Sequence, residues 1–153
     1  MPLTHIERLQ DLQQRIGEEI AISDWLAITQ ERVNLFAEAT GDHQWIHVDV
    51  ERANKESPFG GPIAHGYLTL SLLAKFSQDS IKIGNVRMGV NYGSNRVRFT
   101  SPVRVGKSVR ARFKLAAYDE IAGGAQLTWN ATVDIDGGDK PACIVEMLSR
   151  WYL

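Results

Sequence analysis

The hydrophobic period of this chain changes once, after Gln78, and that change constrains its fold more than any other feature. From Ala64 to about Gln78, the apolar residues Leu68, Leu70, Leu72, Leu73, Ala74 and Phe76 leave only a narrow polar side. A helix apolar on most sides is one that other elements cover. Beyond it the repeat becomes two. Val109, Ala111, Phe113, Leu115 and Ala117 alternate with Arg110, Arg112 and Lys114. Leu127, Trp129, Ala131, Val133 and Ile135 alternate with Thr128, Asn130, Thr132 and Asp134. Such segments are half-buried strands of an antiparallel sheet. Residues 86–99 and 142–152 are further strand candidates, and Gly123-Gly124 and Asp136-Gly137-Gly138-Asp139 are turn signals between strands. Helices come first and strands afterwards, a segregated order that argues α+β.

The part before the apolar helix reads as helical with an irregular middle. Thr4 and Glu7 have capping-box spacing, and Ile6, Leu9, Leu12 and Ile16 recur at roughly helical intervals, so a helical N-terminal extension is predicted over 1–17, ending at Gly17. A second helix is predicted from Thr29, with Val33, Phe36 and Ala37 on one face and Gly41 as its stop. Residues 42–63 read as irregular with a short helix over 50–55, and Ser57 to Pro62 forms a turn region. The 153 residues fit a single domain over 1–153.

Charge and cysteine usage narrow the function classes. A formal net charge of -1 points to neither nucleic acid nor an anionic membrane surface. One cysteine, Cys143, leaves no intramolecular disulfide framework and no cysteine-rich zinc site. The first residues lack an apolar signal core, and no apolar run approaches the ~18 residues that span a bilayer. The expected location is the cytoplasm.

Three segments carry candidate chemistry. The densest is Thr40 to Asp49, where Asp42, His43, His47 and Asp49 fall together. Acid–base catalysis needs one group that takes a proton and one that gives it, both within reach of one water. Aspartate and histidine suit that task near neutral pH. A solvated loop is the alternative. So is a metal site, since His43 and His47 share a face if helical, with Asp42 or Asp49 as a third ligand. Against the metal stand Gly41 before the cluster, the apolar anchor Trp45-Ile46 within it, and the lack of a fourth ligand. The second segment, Gly60 to Tyr67, leads into the apolar helix. Its Gly66 sits where backbone N–H groups lack intrahelical partners and where a ligand can approach closely, so it could donate to a developing oxyanion. Plain turn chemistry is the alternative, and His65 alone reads as a structural histidine. The third segment, Asn91 to Val103, places Arg96 and Arg98 on one strand face and Val97 and Phe99 on the other. That face is either simply solvated or a place for phosphates.

The three segments together resemble the MaoC-like dehydratase family, which includes (R)-specific enoyl-CoA hydratases. Asp42, four intervening residues and His47 match its hydratase motif; Ile63-Ala64-His65-Gly66 resembles the start of its central helix; Asn91 to Val103 resembles the strand and turn that follow. The similarity spans roughly residues 20–150. Gly41 to His47 with Lys140-Pro141-Ala142-Cys143 is most similar to the branch named after nodulation protein N. Gln44-Trp45 departs from the Asn-Pro of many members, which changes the amide beside the catalytic pair. The resemblance implies a hot-dog fold, an antiparallel sheet wrapped around a central helix, paired as a homodimer. It implies reversible syn hydration of an enoyl thioester of CoA or acyl carrier protein, without metal or other cofactor. Asp42 and His47 then hold the water and Gly66 the thioester oxygen, while Gln44, Trp45, His65, Tyr67, Asn91, Tyr92 and Arg96 contact substrate. Because hot-dog proteins also include thioesterases and non-catalytic acyl binders, those remain alternatives.

Overall fold

Strict alternation in the C-terminal half produces the main sheet. The computed structural model describes residues 3–153. Strands β2 (Glu19–Ile22), β3 (Leu26–Ala27), β5 (Met88–Arg98), β6 (Ser108–Ile121), β7 (Gly124–Ile135) and β8 (Cys143–Tyr152) form a six-stranded sheet. Its order is β2-β6-β7-β8-β5, with β3 also paired to β6, and every pairing is antiparallel. Val109, Ala111, Phe113 and Leu115 of β6 and Leu127, Trp129, Ala131 and Val133 of β7 turn inward and are buried.

These inward side chains pack on α4 (Gly66–Ser80), which buries Leu68, Leu72, Leu73 and Phe76. The sheet thus curves around one helix, the hot-dog arrangement that the family resemblance implied. The helix is less enclosed than its composition predicts. Tyr67, Ser71, Ala74 and Gln78 remain exposed, and a groove of about 320 Å³ runs between α4 and β5. The cause is the small size of what β5 offers: Gly89, Asn91, Gly93 and Ser94 line that groove without filling it. Strand β5 is also an edge of the sheet, and most of its residues are exposed.

Helix α1 (Gln30–Thr40) follows its sequence signals. Thr29 accepts from the Arg32 N–H at 3.1 Å, and Gly41 adopts a φ of 80° to end the helix. Two short helices follow, α2 (Trp45–Val48) and α3 (Val50–Glu56), where sequence indicated one short helix and loop.

The N-terminal segment differs from expectation. Thr4–Ile6 is strand β1, paired in parallel with β4 (Ile81–Ile83), and a 3-10 helix covers Leu9–Arg15. The Thr4 hydroxyl donates to the Ile20 carbonyl at 2.9 Å instead of capping a helix. The carboxylate that reaches back belongs to Asp11, which accepts from the Arg8 N–H at 3.2 Å. Leu9 and Leu12 are buried in the core, so this segment is part of the packed body.

Candidate active site

The break at Gly41 sends the chain out of α1 and across the N-terminal end of α4. Asp42 lies exposed on this crossing, and one of its carboxylate oxygens accepts from the Gln44 N–H at 3.3 Å. His47, in α2, is buried at 7% exposure. Its backbone carbonyl accepts from the Gln30 amide at 2.7 Å, which ties α2 to α1. Its Nδ1 meets the Ile63 carbonyl oxygen at 2.6 Å. A carbonyl can only accept, so Nδ1 carries the proton and Nε2 keeps its lone pair. Burial pushes the His47 pKa below its ordinary 6.5, with His65 acting in the same direction and the Ile63 carbonyl and Asp42 opposing. The ring therefore presents a neutral basic nitrogen at neutral pH.

His65 joins the pair. Its ring stacks on His47 with centroids 3.9 Å apart and an interplanar angle of 23°, and Phe36 packs behind it at 4.9 Å. Its Nε2 lies 3.0 Å from the Asp42 backbone oxygen. One ring nitrogen of each histidine and one Asp42 carboxylate oxygen all lie within 4.8 Å of one another. That set is a poor match for one metal ion. Histidine lone pairs lie in the ring plane, and two nearly parallel stacked rings do not direct theirs to a common point about 2 Å away. The His43 of the metal alternative turns outward, 3.4 Å from Glu38.

Gly66 opens the 15-residue helix α4, where early N–H groups have no intrahelical acceptor and the dipole favours negative charge. A Cβ there would lie 3.2 Å from the ring of Phe99. The two residues border a cavity of about 340 Å³, also lined by Phe59, Ile63, Thr69 and Pro102. Gly66 thus follows directly on His65, whose ring meets both His47 and the Asp42 backbone, where α4 begins.

Of the other sequence candidates, some fall here and some do not. Gln44 is exposed and precedes α2, and Trp45 is covered by the Arg52 guanidinium at 4.2 Å from its ring centre. Tyr67 is 70% exposed and meets Phe99 edge-on. Asn91 lines the groove along α4. Tyr92 lies under Arg150, 3.6 Å from its ring centre. Arg96 pairs in register with Glu146, and its neighbour Val97 with buried Val145. Directly opposed residues share a sheet face, so Arg96 sits on the outer face, away from α4. Sequence reasoning missed the Ile63 carbonyl, because a backbone acceptor leaves no mark in residue type. It also missed the His65–Asp42 contact, for which the only sign was a histidine at a helix start.

Known proteins resemble this chain in sequence and in fold. The MaoC like domain model matches residues 11–133. A protein of Mycobacterium tuberculosis named 3-hydroxyacyl-thioester dehydratase Z is 48% identical over 146 residues, 95% of this chain and 96% of that one. Nodulation protein N of Rhizobium leguminosarum is 48% identical over 141 residues, 90% of this chain and 87% of that one. The solved (R)-hydratase from A. caviae superposes with a TM-score of 0.69 at 25% identity, over 88% of this chain and 94% of that one. With the family model spanning most of the chain and the Asp42–His47 pair seated at the head of the wrapped helix, this protein belongs to the MaoC-like domain family.

Proposed function

We propose that this protein is a 3-hydroxyacyl-thioester dehydratase working reversibly as an (R)-specific enoyl-thioester hydratase. One observation carries the reading: the His47 Nδ1–H bond to Ile63 leaves a neutral Nε2 with a free lone pair, in a ring with one nitrogen within 4.8 Å of an Asp42 carboxylate oxygen. The relatives named as a dehydratase and an (R)-hydratase support it.

In the hydration direction, Asp42 and His47 hold one water against the face of a trans-2-enoyl thioester. As the water oxygen bonds to C3, one O–H bond breaks and the pair takes the proton. The C2=C3 π electrons move toward the thioester, whose oxygen gathers negative charge and accepts from the Gly66 N–H. The pair then returns the proton to C2 on the same face, so addition is syn. Dehydration is the reverse. No metal or redox group enters the balance, since water supplies both the hydroxyl and the hydrogen.

The acyl tail lies in the cavity beside Phe59, Phe99 and Thr69. Two chains pair through the β5 edges. The exposures of Met88 at 45%, Val90 at 40% and Tyr92 at 54% support this, because a long uncovered apolar edge invites pairing. The protein works in the cytoplasm on CoA or carrier-protein thioesters. No helix among the described residues is long and apolar enough to cross a membrane.

The test is loss of crotonyl-CoA absorbance with purified protein, run beside a thiol-reactive dye. Hydration without thiol release is the expected result. Thiol release without hydration would make the protein a thioesterase, and binding without either would make it an acyl-binding protein.

A further inference from the structure

We propose that His65 is a positioning residue for the hydration pair, its Nε2–H holding the Asp42 backbone carbonyl and its ring setting the plane of His47. The inference rests on the reading of Asp42 and His47 as the reacting pair.

His65 costs the fold stability in two separate ways. It occupies the N-cap of α4, where Ser, Thr, Asp or Asn would accept from a helix N–H, yet its side chain makes no cap bond. A side-chain cap there would stabilise the start of the helix. Its Nδ1 is also buried without a hydrogen-bond partner in a residue only 2% exposed. An unsatisfied buried polar atom costs stability that a phenylalanine of similar shape would not. Packing alone therefore does not explain a histidine here.

What the histidine supplies is a reach to Asp42. That residue is exposed on the crossing between α1 and α2, and its other tethers are local and long. The Thr40 hydroxyl lies 3.5 Å from the Asp42 N–H, and the Gln44 N–H lies 3.3 Å from its carboxylate. The His65 bond is 3.0 Å and bridges 23 positions of sequence, joining the crossing to the helix that carries Gly66. The same ring contacts both Phe36 and His47, so His47 is restrained both by its Ile63 bond and by the stack. Asp42, His47 and Gly66 are thereby referred to one rigid point. Small misplacements of a reacting group cost up to about 100-fold in rate.

Two variants separate the two contacts. His65→Phe keeps a ring for stacking and removes the N–H; His65→Gln keeps an N–H donor and removes the ring. For His65→Phe, kcat on crotonyl-CoA is expected to fall about 10- to 100-fold with KM little changed. His65→Gln is expected to recover part of that loss. The second readout is the titration of the His47 ring by NMR. The titratable groups that face it are Asp42, from the crossing after α1, and His65, from the start of α4. His65 acts to lower the His47 pKa, so the His47 midpoint should rise in both variants.

Wild-type kcat in His65→Phe overturns the proposal. So does an equal fall in both variants with the His47 midpoint unmoved, which is the signature of packing alone. If the unmodified protein hydrates no enoyl thioester, the functional reading fails on that result. The His47 midpoint and the Asp42 carbonyl carbon shift then still decide whether His65 holds the pair: movement in both sustains it, and no movement overturns it. Should His65→Phe not fold, the comparison of His65→Gln with the unmodified protein decides in the same way, with a raised His47 midpoint and a smaller fall in kcat as the expected result.

Discussion

The His47 Nδ1–H donates to the Ile63 carbonyl oxygen across 2.6 Å, and this bond leaves Nε2 as the nitrogen with a free lone pair. Because Ile63 lies three residues before Gly66, it also ties His47 to the segment that leads into α4. The first expectation follows from the state of that ring. His47 must be neutral to accept a proton, and burial lowers the pH at which it becomes charged below 6.5. The acid limb of kcat/KM should therefore fall below pH 6.5, with activity rising through it as pH increases. A rate profile from about pH 4.5 to about pH 9 measures this.

Removing either member of the pair should cost the acid–base contribution. Asp42→Asn and His47→Ala are each expected to lower kcat by about 10²–10⁴-fold on crotonyl-CoA. Circular dichroism and thermal unfolding check that both variants remain folded. Full activity in both would remove the pair from the chemistry.

At Gly66 the constraint is space. A methyl group would lie 3.2 Å from the Phe99 ring, at the edge of the cavity proposed for the acyl tail. Gly66→Ala should lower kcat/KM about 10²-fold, the size of losing one oxyanion donor. Adding Phe99→Ala should restore much of it by making room. A double variant no better than the single one would trace the loss to the backbone instead.

Arg96 lies on the outer sheet face in register with Glu146. Arg96→Ala should change KM equally for a CoA ester and for a short thioester lacking the nucleotide. A larger effect on the CoA ester would mean that Arg96 reaches the phosphates across the paired β5 edges.

The proposed pairing through β5 makes a mass prediction. Light scattering should give about twice 17.1 kDa for the unmodified protein. Val90→Lys, a charge on the exposed edge strand, should shift the population toward 17.1 kDa.

What sequence alone determined was set by local rules. Strands β6 and β7 were legible because alternation over a dozen residues has one reading when one sheet face is buried. Helix α1 was legible through Thr29 and Gly41, whose cap bonds involve near neighbours. Asp42 and His47 were visible within one polar cluster, and the resemblance to a family motif singled them out from His43 and Asp49. The tertiary structure decided the rest. Strands β1 and β4 have three residues each, too few to show a period, and each exists only because the other lies beside it. The Thr4 hydroxyl had an equally good local use as a helix cap, and the distant Ile20 carbonyl won. The openness of α4 toward β5 depended on which side chains β5 presents, a matter of register across two bulges. The seating of His47 and His65 depended on a carbonyl 16 positions from one and a carbonyl 23 positions from the other. Backbone oxygens are the same in every residue, so no sequence pattern marks the one that a folded chain brings within reach of a ring.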